Sequence, residues 1–135
     1  MLHTTQGNYV MTTRLISLAA AAALTAWAGL AHGQALLTSA DGVLVTAAGM
    51  TVYSFDQDVA GSGKSACSGP CAALWPAVTT AADARSEGAL SLLTREDGAR
   101  QWAYKGKPVY RYSGDARPGD RNGDNFKNLW HIIKP

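Results

Sequence analysis

Only two cysteines, Cys67 and Cys71, occur among the 135 residues. Neither lies near the N-terminal apolar stretch, where a bacterial lipoprotein would carry its lipid, so no stable membrane anchor is expected. Long hydrophobic runs are also missing. Leu15 to Leu30 is the longest, about sixteen residues, short of the ~20 that a membrane-spanning helix needs. Neither sign of charge dominates: 12 Lys and Arg stand against 10 Asp and Glu. That balance gives no reason to expect nucleic acid or an acidic membrane surface as a partner. There is no nucleophile elbow, phosphate loop, zinc-protease helix or haem-attachment Cys-x-x-Cys-His. With no catalytic constellation in view, a non-catalytic protein is expected.

What is present begins with export. Met11 opens MTTRLISLAAAAALTAWAGLAHGQA, with one positive charge at Arg14, then the apolar run, then small residues. This is the build of a secretory signal peptide. Residues 1–35 are read as that signal, residues 1–10 as an extension ahead of a true start at Met11, and cleavage is expected after Gly33 or Ala35. A periplasmic or secreted location follows. Residues 36–135 then form one small domain. Its charge, without Arg14, is eleven basic against ten acidic residues, a net +1. A core of that size is marginally stable, and a covalent constraint would help it.

The domain reads as a duplication. Gly49, Val52-Tyr53, Phe55 and Asp58 recur as Gly106, Val109-Tyr110, Tyr112 and Asp115, each 57 residues later. Leu74-Trp75 answers Leu129-Trp130 at an offset of 55, and Asp41-Gly42 answers Asp97-Gly98 at 56. Repeat one spans 41–78, a connector 79–96, and repeat two 97–135. One such unit has too little apolar surface to bury alone, so the halves are expected to pack on each other.

Within the repeats, Asp41-Gly42 signals a turn and Val43-Leu44-Val45 a strand, with Thr51 to Phe55 returning after Ala47-Ala48-Gly49. The counterpart hairpin is Gln101 to Tyr104, a Lys105-Gly106-Lys107-Pro108 turn, and Val109 to Tyr112, with cross-strand aromatic pairs. Ala81 to Arg85 has the composition of a helical turn, and Leu90 to Leu93 reads as extended. Ala72 to Trp75 begins a short helix that Pro76 ends. The expected fold is mainly β: one small domain of two β-hairpin plus short-helix units, with approximate internal twofold symmetry.

Tyr53-x-Phe55-x-x-Asp58, Cys67-x-x-x-Cys71-Ala72-Ala73-x-Trp75-Pro76, Gly106-Lys107-Pro108-Val109-Tyr110 and Gly119-Asp120-x-Asn122-Gly123-Asp124 up to Trp130-His131 carry a resemblance. Together they resemble the bacterial secreted repeat proteins, predicted lipoproteins with a Tyr-x-aromatic-x-x-Asp motif. The resemblance covers nearly the whole exported part. It implies an exported protein built from a duplicated unit, in a family described as of unknown function, and it supplies no activity. The lipid-accepting Cys of the lipoprotein description is absent here.

Candidate sites are few. In an exported protein, Cys67 and Cys71 read first as a disulfide. The alternative is a Cu(I) site in which the two thiolates are joined by His131, although Ala72 stands where copper-delivery proteins with a Cys-x-x-x-Cys-Pro motif carry proline. Asp120, Asn122 and Asp124 alternate as calcium-loop ligands do, but Asn125 and His131 replace the Gly and Glu of such loops, and an Asn-Gly turn explains the same letters. Asp58 and Asp115 are expected to accept backbone N–H groups at strand ends; a symmetric carboxylate pair is the glycosidase-like alternative. Tyr53, Phe55, Trp75, Tyr110, Tyr112 and Trp130 are expected to form a packed sheet face. No cofactor is expected, with Cu or Ca the ions that the alternatives would take. The functional expectation is a small exported binding or envelope-interaction module whose partner is an envelope component or small ligand. A copper-handling protein and a hydrolase are the competing readings.

Overall fold

The computed structural model describes residues 37–135, all of which lie in one compact unit. The signal-peptide reading and its cleavage site fall outside the described residues. These residues are mainly β. The strands are β1 (Leu37–Ala40), β2 (Val43–Thr46), β3 (Tyr53–Phe55), β4 (Thr79–Thr80), β5 (Leu90–Thr94), β6 (Arg100–Tyr104), β7 (Lys107–Tyr110) and β8 (Trp130–Ile132). One five-residue helix, α1 (Pro70–Leu74), and a 3-10 turn at Phe126–Asn128 complete the set.

β1 and β2 form a two-stranded sheet, and the rest follow the order β4-β6-β7-β3-β8, with β5 also on β6. Two turns set the registers. Asp41 and Gly42 have φ of 49° and 78°, and Lys105 and Gly106 have φ of 48° and 83°. Paired left-handed residues are what a two-residue hairpin requires if its twist is to match the strands. Ala40 therefore faces Val43, and Tyr104 faces Lys107.

The second of these turns is half the length expected from Lys105-Gly106-Lys107-Pro108. Pro108 lies inside β7, opposite Ala103. Any even number of turn residues, two or four, sets Trp102 and Tyr104 on the face of Val109, and Tyr110 and Tyr112 on the other, because side chains alternate along a strand. Trp102 and Tyr104 pack with Val52 and Val109, whereas Tyr110 and Tyr112 pack with Tyr53 and Trp75. The aromatic pairs expected across this hairpin do not form.

The first half also departs from the simple hairpin. Thr51 makes one bridge to Val45, and the chain then crosses so that β3 pairs with β7 on one side and β8 on the other. Ala81 to Arg85 contributes a single turn, Ala84 N–H to Ala81 O at 3.1 Å, rather than helix.

Alternation in β3 and β7 builds two cores at once. Val52 and Val109 enter an aliphatic cluster with Leu37, Leu44, Val78 and Trp102. Tyr53 and Tyr110 enter an aromatic cluster with Phe55, Trp75, Trp130 and Cys67. Val52, Tyr53, Val109 and Tyr110 are fully buried, and burial of a large apolar side chain is worth about 1.5–3 kcal/mol.

Candidate functional site

The repeated motif has a local geometric reason. In Tyr-x-aromatic, the two rings are two residues apart and so share one face of a strand. A turn follows at once: Asp58 N–H donates to Phe55 O, and Asp115 N–H to Tyr112 O, each at 3.1 Å. Three residues from aromatic to Asp is the span of a β-turn, which brings the carboxylate back toward the sheet.

Each carboxylate then does two things. Asp58 Oδ1 accepts Ala66 N–H at 2.6 Å, and Asp115 Oδ1 accepts Asn122 N–H at 2.9 Å. The other oxygen accepts a phenol from the opposite repeat: Tyr110 OH donates to Asp58 Oδ2 at 2.7 Å, and Tyr53 OH to Asp115 Oδ2 at 2.6 Å. Tyr53 and Tyr110 face each other in the β3–β7 register, so the two bonds run in opposite senses across that pair. Burial raises both phenol pKa values well above the usual range, and the carboxylate bonds raise them further. Both phenols are protonated donors at any physiological pH.

Other contacts recur with the repeats exchanged. Gly61 N–H donates to Gly106 O and Gly119 N–H to Gly49 O. Asp56 N–H donates to Leu129 O and Ser113 N–H to Leu74 O. Ala77 bridges Tyr110, and Ile132 pairs with Tyr53. In the aromatic cluster, Phe55 stacks on Trp130 at 4.2 Å and Tyr112 on Trp75 at 4.4 Å. The indoles of Trp75 and Trp130 stack on each other at 3.9 Å.

The halves differ in what else each phenol meets. Tyr53 OH accepts Gly123 N–H at 3.2 Å. Tyr110 OH instead meets the Ser65 hydroxyl at 2.7 Å. Ser65 Oγ also accepts a hydrogen bond from Arg95 Nη1 at 3.0 Å, and the same nitrogen donates to Gln101 Oε1 at 2.7 Å. Arg95 Nη2 donates to Cys67 O at 2.6 Å. The guanidinium thus ties the 65–71 loop to the β5–β6 sheet, and among the described residues it has no carboxylate within ion-pair distance. Beside it opens a depression of about 480 Å³, lined among others by Lys64, Ser65, Ser68, Arg95, Glu96 and Asp97.

Cys67 and Cys71 are disulfide-bonded to each other, 5.2 Å apart at Cα. They bracket the start of α1, where Pro70 presets the first helical φ. His131, on β8, has Nε2 2.8 Å from Asp56 Oδ2. Asp120 Oδ2 accepts the N–H groups of Ala116 and Arg117, and those backbone bonds lower its pKa. Asp124 Oδ1 accepts Ile132 N–H, and Asn122 Nδ2 reaches Gly114 O. Among the described residues, no three His, Cys, Asp or Glu are gathered as a metal-binding group.

Sequence reading missed Arg95, Ser65, Gln101 and Gly123. Arg95 falls in the stretch read from the sequence as a connector and carries no motif. Gly123 did have a signal, the Asn-Gly dipeptide, but its role is packing: a Cβ there would stand 2.7 Å from the Trp75 ring and 3.0 Å from Tyr53.

Two segments, residues 35–79 and 91–134, match the family model described as a secreted repeat of unknown function. No curated protein and no solved structure matches the chain. Among the described residues, no helix is long and apolar enough to cross a membrane.

Proposed function

The chain belongs to this family of secreted repeats, and from that premise we propose that it is an exported, non-catalytic binding module of the cell envelope, periplasmic or released. We read its two repeats as hairpin, motif strand and short helical turn, related by an approximate internal twofold between Tyr53 and Tyr110. The observation that carries the functional reading is the reciprocity of the Tyr–Asp bonds. The motif residues are occupied with one another inside the core, so recognition falls to what the repeats do not share.

That unshared feature is the disulfide-bridged loop with the Arg95 depression beside it. An unpaired, half-buried guanidinium next to exposed Lys64, Glu96 and Asp97 suits a small polar ligand bearing both an anionic and a donor group. Ser68 is exposed on the rim, so Ser68→Trp fills the depression without touching the core.

The test is thermal stabilisation of wild type and Ser68→Trp by a panel of muropeptides, oligosaccharides and organic acids. A ligand present at a hundred times its Kd stabilises by about 2.7 kcal/mol. The reading predicts a compound that stabilises wild type and not Ser68→Trp. Equal stabilisation of both proteins would move the site elsewhere, and turnover of any panel member would make the protein an enzyme.

A further inference from the structure

Phe55, Trp130, Trp75 and Tyr112 form a continuous column, with ring centres 4.2, 3.9 and 4.4 Å apart. The two indoles are within 1° of parallel. Neutral aromatic pairs prefer edge-to-face or offset rings about 4.5–7 Å apart, because their electron-rich faces repel. A positive charge on one ring reverses the sign of that interaction, since the neighbouring face then attracts it. Two parallel indoles at this separation can share such a charge. The parallel Trp75–Trp130 pair therefore has the geometry to stabilise a radical cation.

The surroundings supply what a radical cation needs next. Tyr53 meets Trp75 edge-on at 5.4 Å, and Tyr110 meets Trp130 at 5.1 Å. A phenol gives up an electron readily only when its proton leaves with it. Each of these phenols already donates that proton along a short bond, to Asp115 at 2.6 Å and to Asp58 at 2.7 Å. The column reaches toward solvent at one end only as an oxidisable ring. Tyr112 is half-buried and covered by Gly114, where the ring leaves no room for a Cβ. The other end is capped by Phe55, which is buried.

We propose that the aromatic column is a one-electron relay, in which the stacked Trp75–Trp130 pair passes an oxidising equivalent to Tyr53 or Tyr110. In the first step a one-electron oxidant at the surface, of the metal-complex class, gains an electron that the indole pair loses. In the second, a tyrosine returns one electron to the pair and its phenolic proton moves to the bonded carboxylate, Asp115 Oδ2 or Asp58 Oδ2. The products are neutral indoles, a neutral phenoxyl radical and a carboxylic acid, and charge balances at each step. This inference is independent of the binding reading, because it uses none of the depression's residues.

The experiment generates ruthenium(III) tris-bipyridine by a light flash, with a sacrificial acceptor, in the presence of the intact protein, and reads the radical by freeze-quench electron paramagnetic resonance. Wild type is expected to give a phenoxyl spectrum. In a Tyr112→Phe background, which removes the column's own phenol, Tyr53→Phe combined with Tyr110→Phe should leave the spin on the indoles, and Trp75→Phe should lower the phenoxyl yield several-fold. Circular dichroism establishes that each variant is folded. Should a variant not fold, wild type in heavy water decides alone, because a step that moves a proton must slow there. A phenoxyl yield unchanged in folded Trp75→Phe, a phenoxyl signal undiminished in the double tyrosine variant, or a rate indifferent to deuterium would each overturn the relay.

Discussion

The hydroxyls of Tyr53 and Tyr110 are the most informative atoms in the molecule. Both are buried, both donate to a carboxylate, and both have pKa values raised by burial first. The linkage follows in sign. Each phenol ionises near 10 in the unfolded chain but later in the folded one, so the protonated form is bound more tightly when folded. Stability from these groups is fully present below about pH 10 and is lost as pH rises through the folded values. Alkaline denaturation should therefore begin near pH 10, and Tyr53→Phe with Tyr110→Phe should flatten that limb in a pH series of urea melts. A limb of unchanged steepness would mean that other groups carry it. Gly123→Ala should cost about 1–3 kcal/mol, since the added carbon overpacks two rigid rings. A thermal melt at the wild-type temperature would show that the rings yield. The exposed His131–Asp56 pair, by contrast, is worth only about 0.2–1 kcal/mol, as surface ion pairs are.

At the scale of elements, the sequence was most legible where backbone conformation is dictated locally. Asp41-Gly42 and the Lys105-Gly106 turn announced reversals because two successive left-handed residues favour Gly with Asp or a tolerant partner. The face of Trp102 follows from parity alone: a turn of two or four residues sets it with Val109 and away from Tyr110 and Tyr112, so the aromatic pairs expected there misread the alternation. The crossing of β3 away from β2 was equally hidden, being set by aromatic partners that lie more than fifty residues away. α1 has five residues, too few to persist unaided, so it depends on its neighbours. The bridge between Cys67 and Cys71 closes a short loop, for which chain entropy gives about 2 kcal/mol. Cys67→Ser with Cys71→Ser should lower stability by that amount while Arg95 and Asp58 still hold the loop. Native mass should exceed neither expectation nor chemistry: the oxidised protein is lighter than its reduced form by two hydrogens. Loss of all structure in the double serine variant would show that the bridge holds more than its own loop.

For the molecule as a whole, duplication was the clearest message of the sequence, since five motif positions recur at one offset. What the offset does not reveal is that each copy is completed by the other. A lone repeat would bury a phenol with no acceptor and a carboxylate with one partner too few, and an unsatisfied buried group costs about 1–3 kcal/mol. The halves are therefore expected to fold as one unit. Residues with no identical counterpart in the other repeat, Arg95 foremost, carry no periodic signal, and their role emerges only from the contacts with Ser65, Cys67 and Gln101.

The most direct measurement is a set of double-mutant cycles on unfolding free energy, using Tyr→Phe and Asp→Asn at the four motif positions. Residues that share a contact couple, whereas separated ones add. The exchange of partners between repeats predicts coupling of about 1.5–3 kcal/mol, the range for a hydrogen bond to a charged group, for Tyr53 with Asp115 and for Tyr110 with Asp58. It predicts near-additivity for Tyr53 with Asp58 and for Tyr110 with Asp115. Coupling within each repeat, with additivity across them, would contradict the account.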